Sequence, residues 1–148
     1  MAKNSEYPIE FKDKSHTSPP VTIKERITAF DSSDFARLLH LEIVEAREGF
    51  ARVIMPSSEK ENPNGVIHGG AIFSLADQAF GMAANSGIVQ RVAVSVHIQY
   101  IAPASGDLQA IAELVAEQGG YSTYRVMVYE GDRAIAEFDG VAIRVSSR

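Results

Sequence analysis

The stretch from Asn62 to Asn85, NPNGVIHGGAIFSLADQAFGMAAN, narrows the choice of fold more than any other part of the chain. It opens on turn chemistry at Asn62-Pro63-Asn64-Gly65, where Asn and Gly accept left-handed backbone and Pro fixes φ. Val66 and Ile67 lead to His68-Gly69-Gly70, and an apolar run with helical spacing follows. Read as a helix, the run places Ser74, Asp77, Gln78, Gly81 and Asn85 at i, i+3, i+4, i+7 and i+11, one narrow polar stripe. The remaining positions after Gly70 are Ala, Ile, Phe, Leu or Met. A helix apolar around most of its circumference must be wrapped, and a sheet is the usual wrapping.

Taken singly, the polar residues have plain readings. His68 satisfies a carbonyl near the turn, and Asp77 pairs with an arginine or faces water. Together they point to chemistry. Gly69 and Gly70 would leave bare N–H groups at the positive end of a helix, suited to an anion or a developing oxyanion. A carboxylate flanked by Leu75, Ala76, Ala79 and Phe80 is costly to desolvate, which favours a functional role for Asp77. Gly69 and Asp77 would lie about 12 Å apart along the helix axis, too far to meet at one carbonyl carbon. Two antiparallel helices related by a twofold axis bring Gly69 of one to Asp77 of the other, so an active site of this kind lies between subunits.

The rest of the chain supplies the wrapping. At 148 residues it is one domain with a sizeable core. Residues 1–24 read as an extended, mobile leader, and 25–148 as a single domain. Asp31-Ser32-Ser33-Asp34 caps a short helix at Phe35 to Leu39. Leu41 to Ala46 and Phe50 to Met55 are strands joined at Glu48-Gly49. Beyond Gly87 the period becomes two. Val92, Val94, Val96, Ile98 and Tyr100 alternate with smaller or polar residues, as in a half-buried strand. Leu108 to Glu117, Ser122 to Tyr129 and Ala134 to Val145 follow, and the short links predict that consecutive strands run antiparallel. The class is α+β: a long central helix wrapped by a curved antiparallel sheet of about five to six strands.

Several chemistries are excluded. A net charge of −5 argues against nucleic acid or an anionic membrane as partner. No cysteine is present, which removes disulfides and thiol nucleophiles and fits a reducing cytoplasm. The histidines at 16, 40, 68 and 97 lack metal-site spacing, so no metal is expected. G-x-S-x-G, Walker and G-x-G-x-x-G motifs are all missing.

Asn62-x-x-Gly65-x-x-His68-Gly69-Gly70, followed by Phe73-Ser74-Leu75-Ala76-Asp77-x-Ala79-Phe80 and Ala84-Asn85-Ser86, resembles the acyl-CoA thioesterases of the hotdog fold. Within them it is most similar to the phenylacetate-degradation type, over roughly Phe35 to Val145. The resemblance implies subunits joined edge to edge through their sheets, as a homodimer and then a dimer of dimers. It implies that the Gly69 N–H holds the thioester oxygen and that Asn62 places the thioester or water. Asp77 of the partner would be nucleophile or general base, and His68 would support the helix entry. Phe73, Phe80 and Met82 would face the acyl group, with Gly70, Gln78 and Ser95 completing the substrate-binding surface. No cofactor is implied, since CoA is part of the substrate. Two rivals share the fold: a non-catalytic acyl-CoA sensor, disfavoured by Asp77, and an enoyl-CoA hydratase, disfavoured because His68 precedes the carboxylate. The chain departs from relatives at Gly81, where some carry Thr or Ser, and at Ala93, where some carry Ser. Ser95 is expected to share the strand face of Ala93 and to substitute for that Ser. Ala102 replaces an often basic residue, which leaves Arg91, Arg125, Arg133 and Arg144 as candidates for the CoA phosphates.

Overall fold

Small residues on one face of the strands decide how the sheet receives its helix. In a computed structural model of the chain, which describes residues 22–145, the elements are α1 (Ile23–Asp31), α2 (Asp34–Leu39), β1 (Glu42–Arg47), β2 (Phe50–Met55), α3 (Gly69–Asn85), β3 (Arg91–Tyr100), β4 (Leu108–Gln118), β5 (Tyr121–Glu130) and β6 (Arg133–Arg144). The strands form one antiparallel sheet in the order β1-β2-β4-β5-β6-β3. Cross-strand partners on its inner face run Val53–Ala110–Val128–Ala136 and Ala51–Ala112–Val126–Phe138. The alanines leave room for α3 to approach, and its Leu75, Ala76, Ala79, Phe80 and Met82 are buried against them. Phe80 packs between Tyr124 and Phe138. Its ring lies so close to Gly140 that a Cβ there would stand 2.8 Å from it, so β6 needs glycine at that position.

The expected class therefore holds: a long central helix in a curved six-stranded antiparallel sheet, the hotdog arrangement. Three features differ from the expectations or go beyond them. A helix, α1, precedes the one expected at Phe35 to Leu39, which is present as α2. Thr22 and Glu25 form a reciprocal capping box that starts α1 inside the span assigned to the leader; residues 1–21 of that leader lie outside the described residues. Secondly, β3 pairs with β6 and not with β4, which follows it in sequence. The link from Ile101 to Asp107 exceeds a hairpin loop and carries Pro103, which has no N–H to donate. Ile101 and Ala102 instead donate to Ile135 O, and Ala104 O accepts from Ile67 N at the entry to α3. Thirdly, β3 is an edge strand exposed along most of its length, with Val92 and Val94 each 52% exposed. Its period of two reflects a strand that one chain leaves half uncovered. No helix among the described residues is long and apolar enough to cross a membrane.

Candidate active site

The entry to α3 commits almost every backbone donor it has. Asn62 Oδ1 accepts from Asn64 N at 2.9 Å and from Val66 N at 3.5 Å, closing the turn that positive-φ Gly65 allows. That leaves the Asn62 amide as a donor. His68 is the N-cap: its backbone N–H donates to Lys60 O, and its Nδ1 accepts from Gly70 N at 2.8 Å. An accepting Nδ1 places the ring proton on Nε2. His68 O takes the Ala71 and Ile72 N–H groups. Of the first helical donors only the Gly69 N–H has no partner among the described residues. The expectation of two bare N–H groups is corrected to one, because the His68 ring consumes the other.

Tyr100, at the end of β3, completes this corner, and sequence reasoning missed it. Its hydroxyl donates to Gly69 O at 2.9 Å, and a Cβ on residue 69 would stand 3.3 Å from its ring. A side chain at residue 69 therefore fits only if the half-exposed Tyr100 ring gives by a few tenths of an ångström. Gly69, Tyr100, Ile67, Ile72 and the 101–103 segment line one cleft of about 290 Å³. Tyr100 was read only as one more large residue in a period-two run.

The polar stripe of α3 is mostly spent inside the chain. Ser74 Oγ donates to Gly70 O, Gln78 Nε2 to Phe30 O, and Asn85 Nδ2 to Gly81 O and Arg91 O. Asp77 has no hydrogen-bond or ion-pair partner among the described residues. It is exposed in the single chain, yet the apolar wall around it displaces enough water to push its pKa above the ordinary carboxylate value. Asp77 opens into a second cleft, of about 240 Å³, with Phe30, Gly81, Val92, Ala93 and Ala142. Gly81 is explained by α1: a Cβ there would stand 3.3 Å from the Phe30 ring.

Other expected residues separate from this group. Phe80 lines the Asp77 cleft but is 1% exposed and belongs to the core, while Phe73 stacks edge-on against Phe138. Met82 is fully buried. Gly70, with His68, Ser74 and Phe35, lines a third opening of about 340 Å³ on the far side of the helix entry. Ser95 does not share the face of Ala93. A bulge between them puts Ala93 opposite Ala142 on the inner face and Ser95 opposite Val141 on the outer one. Among the phosphate candidates, Arg91 is buried and paired with Glu117, Arg125 with Glu137 and Asp139, and Arg133 with Glu130. Arg144 pairs with no carboxylate among the described residues. No group of three or more metal-ligating side chains occurs among the described residues.

One chain therefore carries a single open donor at the positive end of α3 and an unpaired carboxylate about 12 Å further along, in separate clefts. A donor poised for an oxyanion and a base or nucleophile of raised pKa are the two halves of an acyl-transfer site.

A family described as a domain of unknown function, DUF4442, matches residues 28–144. The acyl-coenzyme A thioesterase PaaI of Escherichia coli is 32% identical over 120 residues, 78% of this chain and 86% of that protein. The solved structure of the E. coli PaaI protein from the phenylacetic acid degradation operon superposes with a TM-score of 0.76 and 28% identity, covering 81% of this chain and 90% of that one. A variant of the phenylacetic acid degradation protein PaaI from Thermus thermophilus gives 0.72 at 30% identity, covering 75% and 98%.

Proposed function

The chain belongs to the PaaI-type thioesterase family of the hotdog fold, and from that premise we propose that it hydrolyses an acyl-CoA to the free acid and CoA at sites shared between two subunits. The observation that carries this reading is Asp77, the one residue of its stripe with a carboxylate and no partner, facing a cleft. The Gly69 N–H polarises the thioester carbonyl and holds the oxyanion as it forms. Asp77 of the partner either attacks the carbonyl carbon, giving an anhydride that water then opens, or takes a proton from the attacking water. In both routes the carbon–sulfur bond breaks and CoA leaves as the thiol. Asn62 places thioester or water through its free amide, and His68 holds the helix entry in shape.

The free edges of the sheet support the shared site. β1 is short and carries Glu42, Glu45 and Arg47, a charged edge that resists further pairing. β3 is long, free of Pro and Lys, and exposes Val92, Val94 and Val96. Antiparallel pairing with the β3 of a second copy sets each Tyr100 end beside the partner's Arg91 end. Gly69 touches Tyr100, and Asp77 shares its cleft with Val92 and Ala93, so that pairing joins the two half-sites. A dimer of dimers, a cytoplasmic location matching the acyl-CoA pool, and one domain over 25–148 belong to the same proposal. The acyl group is aryl, of phenylacetyl type, or a medium aliphatic chain, with Gln78 near its path beside Asp77.

Assay of an acyl-CoA panel for thiol release tests the proposal. At least one aryl or medium-chain thioester should be hydrolysed without added metal and without inhibition by EDTA. Tight binding with no hydrolysis across the panel would establish a sensor instead, and water addition to an enoyl-CoA a hydratase.

A further inference from the structure

The described arginines divide sharply. Arg37, Arg47, Arg52, Arg91, Arg125 and Arg133 each face a carboxylate within ion-pair distance. Arg26 and Arg144 face none among the described residues, although acids outnumber bases in the chain, 19 to 14. These two come from opposite ends of the described chain, yet line the same opening of about 310 Å³, with Ile88, Val89, Gln90 and Val145. No carboxylate lies on its wall among the described residues. Arg91 stands directly across the strand pair from Arg144, and the carboxylate of Glu117 is already taken by Arg91.

Arg26 is only 7% exposed. Part of its placement is structural: Nη1 donates to Gly87 O at 2.7 Å and to Asn85 O at 3.2 Å, closing the negative end of α3. That cap uses one of the three guanidinium nitrogens. Nε is buried without a partner. A buried charged donor left unpaired is costly, and Arg26 also lines the opening, where a guanidinium suits an oxyanion. Arg144, exposed at the end of β6, supplies a second and more mobile cation from the other wall.

We propose that Arg26 and Arg144 form a binding pocket for a phosphate or diphosphate group. Resting on the thioesterase reading, its occupant is the phosphate end of the substrate CoA. Asn85, whose carbonyl Arg26 holds, lies about 12 Å beyond Asp77 along α3, a distance that an extended phosphopantetheine arm spans. A diphosphate in the pocket would direct the phosphopantetheine arm along α3 toward the Asp77 cleft. The pocket also answers how an acidic protein holds an anionic carrier: through two arginines kept clear of carboxylates, not through its overall field.

Isothermal titration of the full-length protein with CoA and with inorganic pyrophosphate tests this, using wild type, Arg144→Gln and Arg26→Gln. Each substitution should weaken CoA binding about tenfold, the effect of one charge-assisted hydrogen bond. Arg144→Gln removes an exposed side chain that closes no helix, so it carries the test if Arg26→Gln fails to fold. Pyrophosphate binding lost in Arg144→Gln while CoA affinity stays unchanged would keep the phosphate pocket and overturn CoA as its occupant. If Arg144→Gln alters neither titration, the pocket itself is overturned. Because both ligands are read by binding, a chain that hydrolyses no thioester but loses pyrophosphate with Arg144→Gln would refute the proposed function and leave the pocket standing.

Discussion

The two ends of α3 are built to opposite rules. At the C-terminal end the helix's own polar groups are tied down: Asn85 exchanges hydrogen bonds with Gly81 O, Arg91 O and Arg91 N, Ser86 Oγ donates to Met82 O, and Arg26 and Arg91 close on the last carbonyls, with Arg26 Nε alone left over. At the N-terminal end His68 and Tyr100 hold the turn in place, and one donor, the Gly69 N–H, is left without a partner. Midway between the ends sits a carboxylate left unpaired in the same way. The contrast teaches where this helix is stabilised and where it is kept incomplete. Satisfied polar groups mark the structural end, and single unsatisfied groups mark the positions proposed to react.

Substitutions can break or sharpen that contrast. The largest effect is expected at the unpaired carboxylate. Asp77→Ala should lower kcat by about 100-fold or more, worth about 2.7 kcal/mol, while the unfolding midpoint in urea stays in place. Near wild-type turnover by a folded Asp77→Ala enzyme would end the mechanism. At the tied end the pattern should invert. Asn85→Ala strands a buried carbonyl and a buried N–H of Arg91, so chemical denaturation should show a loss of about 2 kcal/mol. A stability within experimental error of wild type would show that the end is not held as described. A smaller effect is expected from Tyr100→Phe, which frees the Gly69 carbonyl but keeps the ring. It should reduce kcat by about threefold to tenfold, with KM and Tm little changed. A change confined to Tm would make Tyr100 merely structural.

The smallest effects concern protons. Burial raises the pKa of Asp77, so the folded state holds its proton more tightly than the unfolded chain. The ionised form therefore costs stability above that raised pKa, and the cost vanishes below the ordinary carboxylate value. Asp77→Asn should melt slightly higher than wild type at neutral pH, and the difference should close on acidification. The acid limb of kcat/KM should lie above the ordinary carboxylate pKa for the same reason. Glu130 runs the other way. Gly106 N–H, the Arg133 guanidinium and Ser105 N–H hold it at about 2, so its stabilisation is full above the ordinary value and fades only as pH falls toward 2. Glu130→Gln should then lower Tm near neutrality and not in strong acid.

Much of this was legible before any coordinates. The period of α3 announced a wrapped helix, and the separation of Gly69 from Asp77 is the spacing from which the two-chain site is proposed. What stayed hidden depended on pairings between distant residues. The bulge that turns Ser95 outward cannot be read from alternation alone, since one extra residue reverses every side chain beyond it. The place of β3 beside β6 depends on where the 101–107 segment anchors, not on strand order. Tyr100 and Arg26 look like an ordinary strand aromatic and an ordinary helix cation until the fold sets them against α3. Only α1 had an overlooked local signal, the Thr22-x-x-Glu25 capping box.

The measurement that bears most directly on the shared site is complementation between two inactive proteins. Gly69→Pro removes the open N–H at the first helical position, where proline is tolerated, and Asp77→Ala removes the carboxylate. Each homodimer should be inactive. Under conditions that exchange subunits, an equal mixture makes about half the dimers mixed, each with one intact site of two, so roughly a quarter of wild-type activity should return. No recovery, with subunit exchange demonstrated by mass spectrometry and both variants folded by circular dichroism, would mean that each site is built within one chain.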